Sequence, residues 1–439
     1  MDAQPPSQPN ESAPMPTTVQ PTDPIAADLF AYIAESPTPF HAAAASMQRL
    51  AAAGYEELDE LDDWSDVTGR RMVRRGGALI AWQRPAGATP GTPVRLTGAH
   101  TDSPNLRLTP QPDTGTAGYR QVGVEVYGGP LLNSWLDRDL GVAGRVFLAD
   151  GSEVLVRIDE PVARVTQLAI HLDREVNDGL RLDRQQHLSP IWAHGTAERG
   201  GVVGHIVRAN GVDPEAVRGA DLMFHDLTPP SVLGADRSMY AAPRIDNLTS
   251  CHALTAAMAE LSDDAVAVAV LFDHEEVGSS SSTGADGAFL GHVLERIELA
   301  AGGDRASLLR SIAGSWCLSV DGAHAVHPNY LDRYEPDHHV RLNGGPVVKV
   351  NANVRYATDA SGMAQVEAAA RAASVPLQYY SHRSNLACGS TIGPLTASNL
   401  GMATIDVGAA QLSMHSAREL GGVEDPAMMT KLVGAFLAD

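Results

Sequence analysis

Ala265-Val266-Ala267-Val268-Ala269-Val270-Leu271-Phe272 is an apolar run that stops abruptly at Asp273-His274-Glu275-Glu276-Val277-Gly278. The run reads as a buried strand and is far too short to span a bilayer. Two adjacent glutamates at the end of such a strand are costly to desolvate unless a cation or a reacting group sits beside them. Matching pieces lie elsewhere in the chain. His100 and Asp102 follow the apolar stretch Val94 to Ala99, Asp321 follows Cys317-Leu318-Ser319-Val320, and His415 follows a glycine-rich stretch after Ile405. Each acid or histidine stands where a strand stops, which is the arrangement of a two-metal hydrolase.

Working outward, helical patterning is expected over Ile25–Glu35, Ala42–Ala53, Asn247–Ser262, Gly287–Ala300, Met363–Ala373 and Pro426–Ala438. Gly54 stands where a helix C-cap favours glycine. Strands are expected at Ala78–Trp82, Val94–Ala99, Trp316–Val320, Pro346–Val350 and Met402–Val407. Strands alternating with helices imply an α/β fold, a mostly parallel sheet flanked by helices. Ligands gather beyond the carboxyl ends of such strands, where His100, Glu275, Glu276 and Asp321 fall. Between about Pro104 and Pro243 the pattern changes to short β-like runs, at Val122–Tyr127, Gly144–Leu148 and Glu153–Ile158, broken by Gly, Asp and Pro. The expected organisation is a tail over 1–24, a discontinuous catalytic domain over 25–103 and 244–439, and an inserted β-rich domain over 104–243.

The 439 residues carry 32 basic and 53 acidic side chains, a formal charge of −21, with 44% hydrophobic residues. That balance argues against nucleic acid or an anionic membrane as partner. It also gives no long-range attraction for acidic substrates, so any acidic specificity has to come from local cations. Cys251, Cys317 and Cys388 are an odd, scattered set and read as reduced thiols rather than a disulfide framework. Residues 1–24 hold seven prolines, no Lys or Arg and no apolar core, which reads as a disordered tail rather than a signal peptide. A cytoplasmic location is the expectation.

Zinc prefers His nitrogen and carboxylate oxygen, and a pair of zinc ions needs a carboxylate that bridges them. His100, Glu276, Asp321 and His415 supply four terminal ligands. The bridging acid is open among Asp102, Asp137, Asp139, Asp246 and Asp273, because spacing does not choose between them. Asp137 and Asp139 are the strongest decoys; they lie in the β-rich stretch, with Arg138 as a local ion-pair partner, and a structural role is expected for them. The serine run Ser279–Ser282 has no Gly-x-Ser-x-Gly elbow and reads as a loop.

TGAHTDSPNLRL (97–108), PRIDNLTSCHAL (243–254), DHEEVGSSSSTGA (273–285), DGAHAVHPNYLD (321–332), VVKVNANVRYA (347–357), GSTIGP (389–394) and MHSARE (414–419) occur in this order. Together with SPTPFHA (36–42) and WLDRDL (135–140) they resemble the aspartyl aminopeptidase family, from about Ile25 to the C-terminus. The resemblance implies a zinc-peptidase fold (phosphorylase/hydrolase-like) with an inserted β-rich dimerisation domain. It implies two Zn²⁺ per subunit, a site that also accepts Mn²⁺ or Co²⁺. Asp246 would bridge, His100 and Asp321 would complete one zinc site, and Glu276 and His415 the other. Glu275 would be the general base and Asp102 the carboxylate that orients His100. His324, Lys349 and Tyr356, with Glu275 and Asp321, would contact substrate, and His171 would reach the neighbouring subunit's active site. The family forms dimers that assemble into a tetrahedral dodecamer.

The implied activity is release of N-terminal residues, preferentially Asp or Glu, from peptides with a free N-terminus, with Lys349 as the cation for the acidic side chain. The competing readings are a Leu-preferring aminopeptidase on the same site and, from another class, a non-catalytic metal-binding oligomeric scaffold. Retention of Glu275 with all five ligand positions argues against the scaffold.

Overall fold

The computed structural model describes residues 18–439. Of the expected tail, residues 1–17 lie outside the described residues. Val19 receives the backbone N–H of Val232 at 2.9 Å and donates its own to Ser231 Oγ at 3.2 Å, so this part of the tail is tied down.

A nine-stranded mixed sheet forms the centre of the molecule. Its middle consists of Ala267–Phe272, Arg95–His100, Trp316–Val320 and Ala403–Gly408, side by side and all parallel. Antiparallel neighbours join on both sides, Ala78–Arg84 against Ala267–Phe272 and Val347–Val350 against Ala403–Gly408. Every residue of Ala267–Phe272 is buried, and full burial of each large side chain contributes about 1.5–3 kcal/mol.

Helices cover both faces. Pro24–Glu35, Pro39–Ala52, Ile245–Ala259, Ala360–Ala373 and Asp425–Ala438 close one core. Phe289–Ala300, Arg305–Gly314 and Ile392–Leu400 close the other. The first helix begins at Asp23, whose carboxylate accepts the N–H groups of Ile25 and Ala26, with Pro24 as its first residue. The second ends before Gly54, whose φ of +89° marks the expected C-cap turn.

A separate six-stranded antiparallel sheet is built from Asn105–Thr116, Tyr119–Tyr127, Leu140–Leu148, Glu153–Ala163, Ile191–His194 and Val217–Asp226. Its own core includes Leu106, Val142, Val156 and Phe224, capped by the helix Gly201–Ala209. Ser231–Leu233 and Met239–Ala242, inside the expected 104–243 insert, do not join this sheet: Ser231–Leu233 pairs with Met239–Ala242, which in turn pairs with Glu419–Gly422 near the end of the chain. They belong to a small five-stranded sheet that also holds Ala410–Leu412 and Ala323–His324. Among the described residues, no helix is long and apolar enough to cross a membrane.

Candidate metal centre

Register explains why distant acids meet. Phe272 lies opposite His100 across one parallel ladder, and the strand ending at Val320 runs beside Arg95–His100 on its other side. Three adjacent parallel strands therefore release His100, the turn Glu275–Val277 and Asp321 at one edge. Gly408 permits the last approach, since a Cβ there would stand 1.8 Å from the Asp321 carbonyl oxygen.

Asp246 and His415 arrive by other routes. Asp246 sits in the first turn of Ile245–Ala259 but has the extended backbone angles φ −79° and ψ 108°. His415 occupies the turn between Ala410–Leu412 and Glu419–Gly422, with φ +68°. His415, expected where a strand stops, thus stands instead in a turn of the small sheet.

The resulting cluster has two halves. Asp246 Oδ1 lies 3.3 Å from His100 Nε2, which is 3.4 Å from Asp321 Oδ1. Asp246 Oδ2 lies 3.6 Å from His415 Nε2, which is 3.3 Å from Glu276 Oε2. Ligand-capable atoms of His100, Asp246 and Asp321 lie within 4.8 Å of one another, as do those of Asp246, Glu276 and His415. Asp246 belongs to both of these groups, and His100, Glu275 and Glu276 form a third.

Electrostatics test whether cations fit. Asp246 Oδ1 and Glu276 Oε1 are buried and have no hydrogen-bond partner, a costly state for carboxylate oxygens. Burial pushes Glu276 well above the usual carboxylate range, and the charge of Asp246 adds to it. Burial opposes protonation of His415, yet Asp246 and Glu276 lift it to about 10. Burial also opposes protonation of His100, but its carboxylate partners Asp102, Asp246 and Asp321 raise it well above the ordinary value. Buried carboxylates and histidines so arranged call for positive charge, which a divalent cation binding these nitrogens and oxygens would supply. The donor set of His nitrogen and carboxylate oxygen suits zinc.

Glu275 sits beside this cluster. Burial pushes its carboxyl up to about 8, with His100 pulling it down and Asp321, Asp102 and Asp246 adding to the rise. A carboxylate near neutrality in such a place can take and return a proton.

The supporting residues are as specific as the ligands. Asp102 is fully buried. Its Oδ1 accepts the N–H of Glu275 and its Oδ2 that of Glu276, each at 3.1 Å, and Oδ2 also accepts Tyr127 Oη–H at 2.6 Å. Burial works against its charge, but the bonds from His100, Tyr127 and Glu276 win and hold Asp102 below the usual range. Towards His100 Nδ1 the nearer acceptor is the Asp102 carbonyl at 3.0 Å, with the carboxylate at 3.5 Å. Glu419 is equally buried: Oε2 accepts the Asp246 N–H at 3.0 Å and Oε1 that of His415 at 2.6 Å. His415 Nδ1 meets the Gly129 carbonyl at 3.0 Å. Gly128, beside it, has φ +72° and would carry a Cβ only 3.1 Å from Glu276 Cβ.

Lys349 is 2% exposed, which rules out a snorkelling surface lysine. Its Nζ donates to the carbonyls of Asp321 at 3.0 Å and Gly322 at 3.1 Å, and stands 3.4 Å from Asp321 Oδ2. It lies 5.1 Å from the ring centre of Tyr356. His324, on the small sheet, packs edge-on to Tyr380, and burial with the nearby Lys349 charge lowers it to about 4. His171 is exposed in the irregular segment between Ala163 and Ile191, beside exposed Ile170 and Leu172.

The other acids go elsewhere. Asp137 accepts from the backbone and side chain of Gln167, and Asp139 pairs with Arg164. Arg138, expected to serve them, turns instead to Asp226 Oδ2 at 3.7 Å. Asp273 caps its own turn by accepting the His274 N–H. Glu419, Tyr127 and Gly129 were not singled out in the sequence. Glu419 lies within the MHSARE string, and its position four residues after His415 was its only signal.

A histidine–carboxylate cluster at the carboxyl edge of a mostly parallel sheet, with a glutamate poised beside it, defines a metal-dependent hydrolase. The sequence model described as "Aminopeptidase I zinc metalloprotease (M18)" matches residues 32–437. The chain belongs to the M18 family and is a zinc-dependent aminopeptidase. It is similar to the probable M18 family aminopeptidase 2 of Streptomyces coelicolor, 52% identical over 417 residues, covering 93% of this chain and 96% of that one. Among solved structures, that of the Ape4 and Nbr1 complex superposes with a TM-score of 0.90 at 34% identity, over 94% of this chain and 85% of that one. The S. cerevisiae mApe1 dodecamer superposes with a TM-score of 0.80 at 28% identity, over 94% and 96% respectively.

Proposed function

We propose that the enzyme uses a dinuclear centre bridged by Asp246 to release N-terminal residues, with preference for Asp and Glu. The observation that carries this reading is the division of the Asp246 carboxylate between His100 with Asp321 and His415 with Glu276. When bound, a pair of zinc ions supplies Lewis acidity, lowering the pKa of water from ~15.7 towards ~7 and polarising the scissile carbonyl. Mn²⁺ and Co²⁺ suit the same donors.

The chain's own residues do the rest. Glu275 accepts the proton of the attacking water and returns it to the leaving amine. The acidic cluster holds the free α-amine, which restricts cutting to chain ends. His324, kept neutral beside Lys349, would steady the carbonyl oxygen. Lys349, bonded to Asp321 and beside the Tyr356 ring, brings positive charge to an otherwise acidic cluster. Asp102 fixes the Glu275–Glu276 backbone and, through its carbonyl, the His100 ring.

Self-association belongs to the same reading. Leu168, Ile170 and Leu172 are 62%, 50% and 74% exposed and flank His171, so this segment suits docking on a second subunit, with His171 entering its site. The likeness to a dodecameric neighbour supports assembly beyond the dimer. The divided chain organisation, 25–103 with 244–439 around an inserted β-rich segment, and a cytoplasmic location complete the proposal.

The test is hydrolysis of Asp-, Glu-, Leu- and Lys-anilides with chelator and with zinc restored. Chelator-sensitive turnover led by Asp and Glu is expected. Turnover led by Leu would remove the acidic preference while leaving the metal chemistry.

A further inference from the structure

Arg107 and Tyr127 stand on neighbouring antiparallel strands of the six-stranded sheet, Asn105–Thr116 and Tyr119–Tyr127. Arg107 lies opposite Glu125, so Tyr127, two residues on, is its diagonal neighbour on the same face. Long and aromatic side chains reach across such a diagonal. Here the guanidinium lies over the phenol ring, 3.6 Å from its centre. Arg107 Nε and Nη2 are buried and have no hydrogen-bond partner, although an arginine fork ordinarily takes a carboxylate. A cation held against an aromatic face, away from water, interacts with it most strongly.

The ring carries this charge towards the metal centre. Tyr127 Oη–H donates to Asp102 Oδ2 at 2.6 Å, a length typical of a bond to a charged oxygen. Burial and the Asp102 charge hold the Tyr127 hydroxyl above the ordinary phenol range, and Arg107 pulls the other way. The guanidinium therefore makes this O–H the stronger donor. The fully buried Asp102 holds the backbone N–H groups of Glu275 and Glu276 on its two carboxylate oxygens. Arg107, Tyr127, Asp102 and the turn that bears Glu275 and Glu276 thus form one continuous line of contacts.

We propose that Arg107 is a positioning residue, acting through Tyr127 and Asp102 to hold the Glu275–Glu276 turn in its working geometry. The inference rests on the reading of Glu275 as base and Glu276 as metal ligand and extends it to the β-rich sheet. Asp273 offers Arg107 a competing route. Burial and the Asp102 charge push Asp273 up to about 6, with His274 and Arg107 pulling against them, and Asp273 accepts the His274 N–H in the same turn. The two routes differ once the Tyr127 hydroxyl is gone: only action through Asp273 would survive.

The test is a double-mutant cycle on the full chain, read by zinc affinity against a competing chelator and by kcat and KM at saturating zinc. Tyr127→Phe keeps the ring and should lower zinc affinity and kcat about tenfold each, with KM within about twofold. Arg107→Met should lower both about fivefold in the wild-type background. It should cause no further loss in the Tyr127→Phe background, the mark of two residues acting in one line. Arg107→Lys, which keeps a cation over the ring, should recover more than half of what methionine loses. Losses that add in the double variant overturn the route through Tyr127, and a lysine variant no better than methionine overturns the role of the charge. A fall in thermal stability with zinc affinity and kcat unchanged overturns the proposal as a whole. If zinc affinity couples as expected but kcat at saturating zinc is unchanged in every variant, the positioning of the turn stands and the reading of Glu275 as base fails.

Discussion

Glu419 accepts the backbone N–H of Asp246 on Oε2 at 3.0 Å. A carboxylate that holds no ligand position in the cluster thereby fixes the residue on which both halves of the cluster depend. Its other oxygen takes the His415 N–H, so one side chain sets the backbone of two ligands from distant parts of the chain.

Replacing Glu419 by Ala should therefore weaken zinc binding about 10–100-fold, the usual cost of losing such a partner. Activity should largely return at saturating zinc. Zinc titration against a competing chelator measures this, and an unchanged affinity would show that Glu419 does not support the ligands.

Glu275→Gln should retain metal but lose about 10²–10⁴-fold in kcat, the range attributed to general acid–base groups. Metal content and single-turnover rate, measured on the same sample, provide the check. Near-normal turnover with intact metal would remove Glu275 from the mechanism.

Lys349→Met removes a buried ammonium and leaves two carbonyls and the Asp321 carboxylate short of a donor. Losing a charged donor from buried acceptors should cost about 1–3 kcal/mol of stability. KM should rise more for Asp substrates than for Leu substrates. Equal effects on both would assign Lys349 to positioning Asp321 alone.

Asp425 gives a pH signature away from the metal centre. Its carboxylate accepts the N–H groups of Asn343 and Gly345, and burial pushes it up to about 7 from an ordinary 3.8. Between those values the folded chain binds more protons than the unfolded one, so this group makes stability fall as pH rises from about 4 to about 7. The shift corresponds to at most about 4 kcal/mol. The difference in unfolding free energy between the wild type and Asp425→Asn should shift in favour of the variant by that order across this window. A pH-independent difference would contradict the assignment.

The centre of the fold was legible because its signals are local. The apolar run ending at Phe272, and the acids and histidines following Ala99, Phe272 and Val320, mark parallel strand ends without knowledge of their neighbours. Asp246 was not, because its position depends on an extended conformation inside a helical turn, and five aspartates competed for the same role until the family resemblance chose one. Glu419, Tyr127 and Gly129 act only through long-range contacts. The short helices Gly201–Ala209, Arg305–Gly314 and Ile392–Leu400 are brief enough for tertiary packing to decide them. The pairing of Met239–Ala242 with Glu419–Gly422 joins segments with no mutual signal in sequence.

The central claim is that Asp246 bridges two cations. Anomalous-scattering crystallography at the zinc edge tests it most directly. The account predicts two peaks about 3.5–4 Å apart, one beside His100 and Asp321, the other beside Glu276 and His415, with one Asp246 oxygen on each. A single peak under saturating zinc, or two peaks with Asp246 on only one of them, would contradict it.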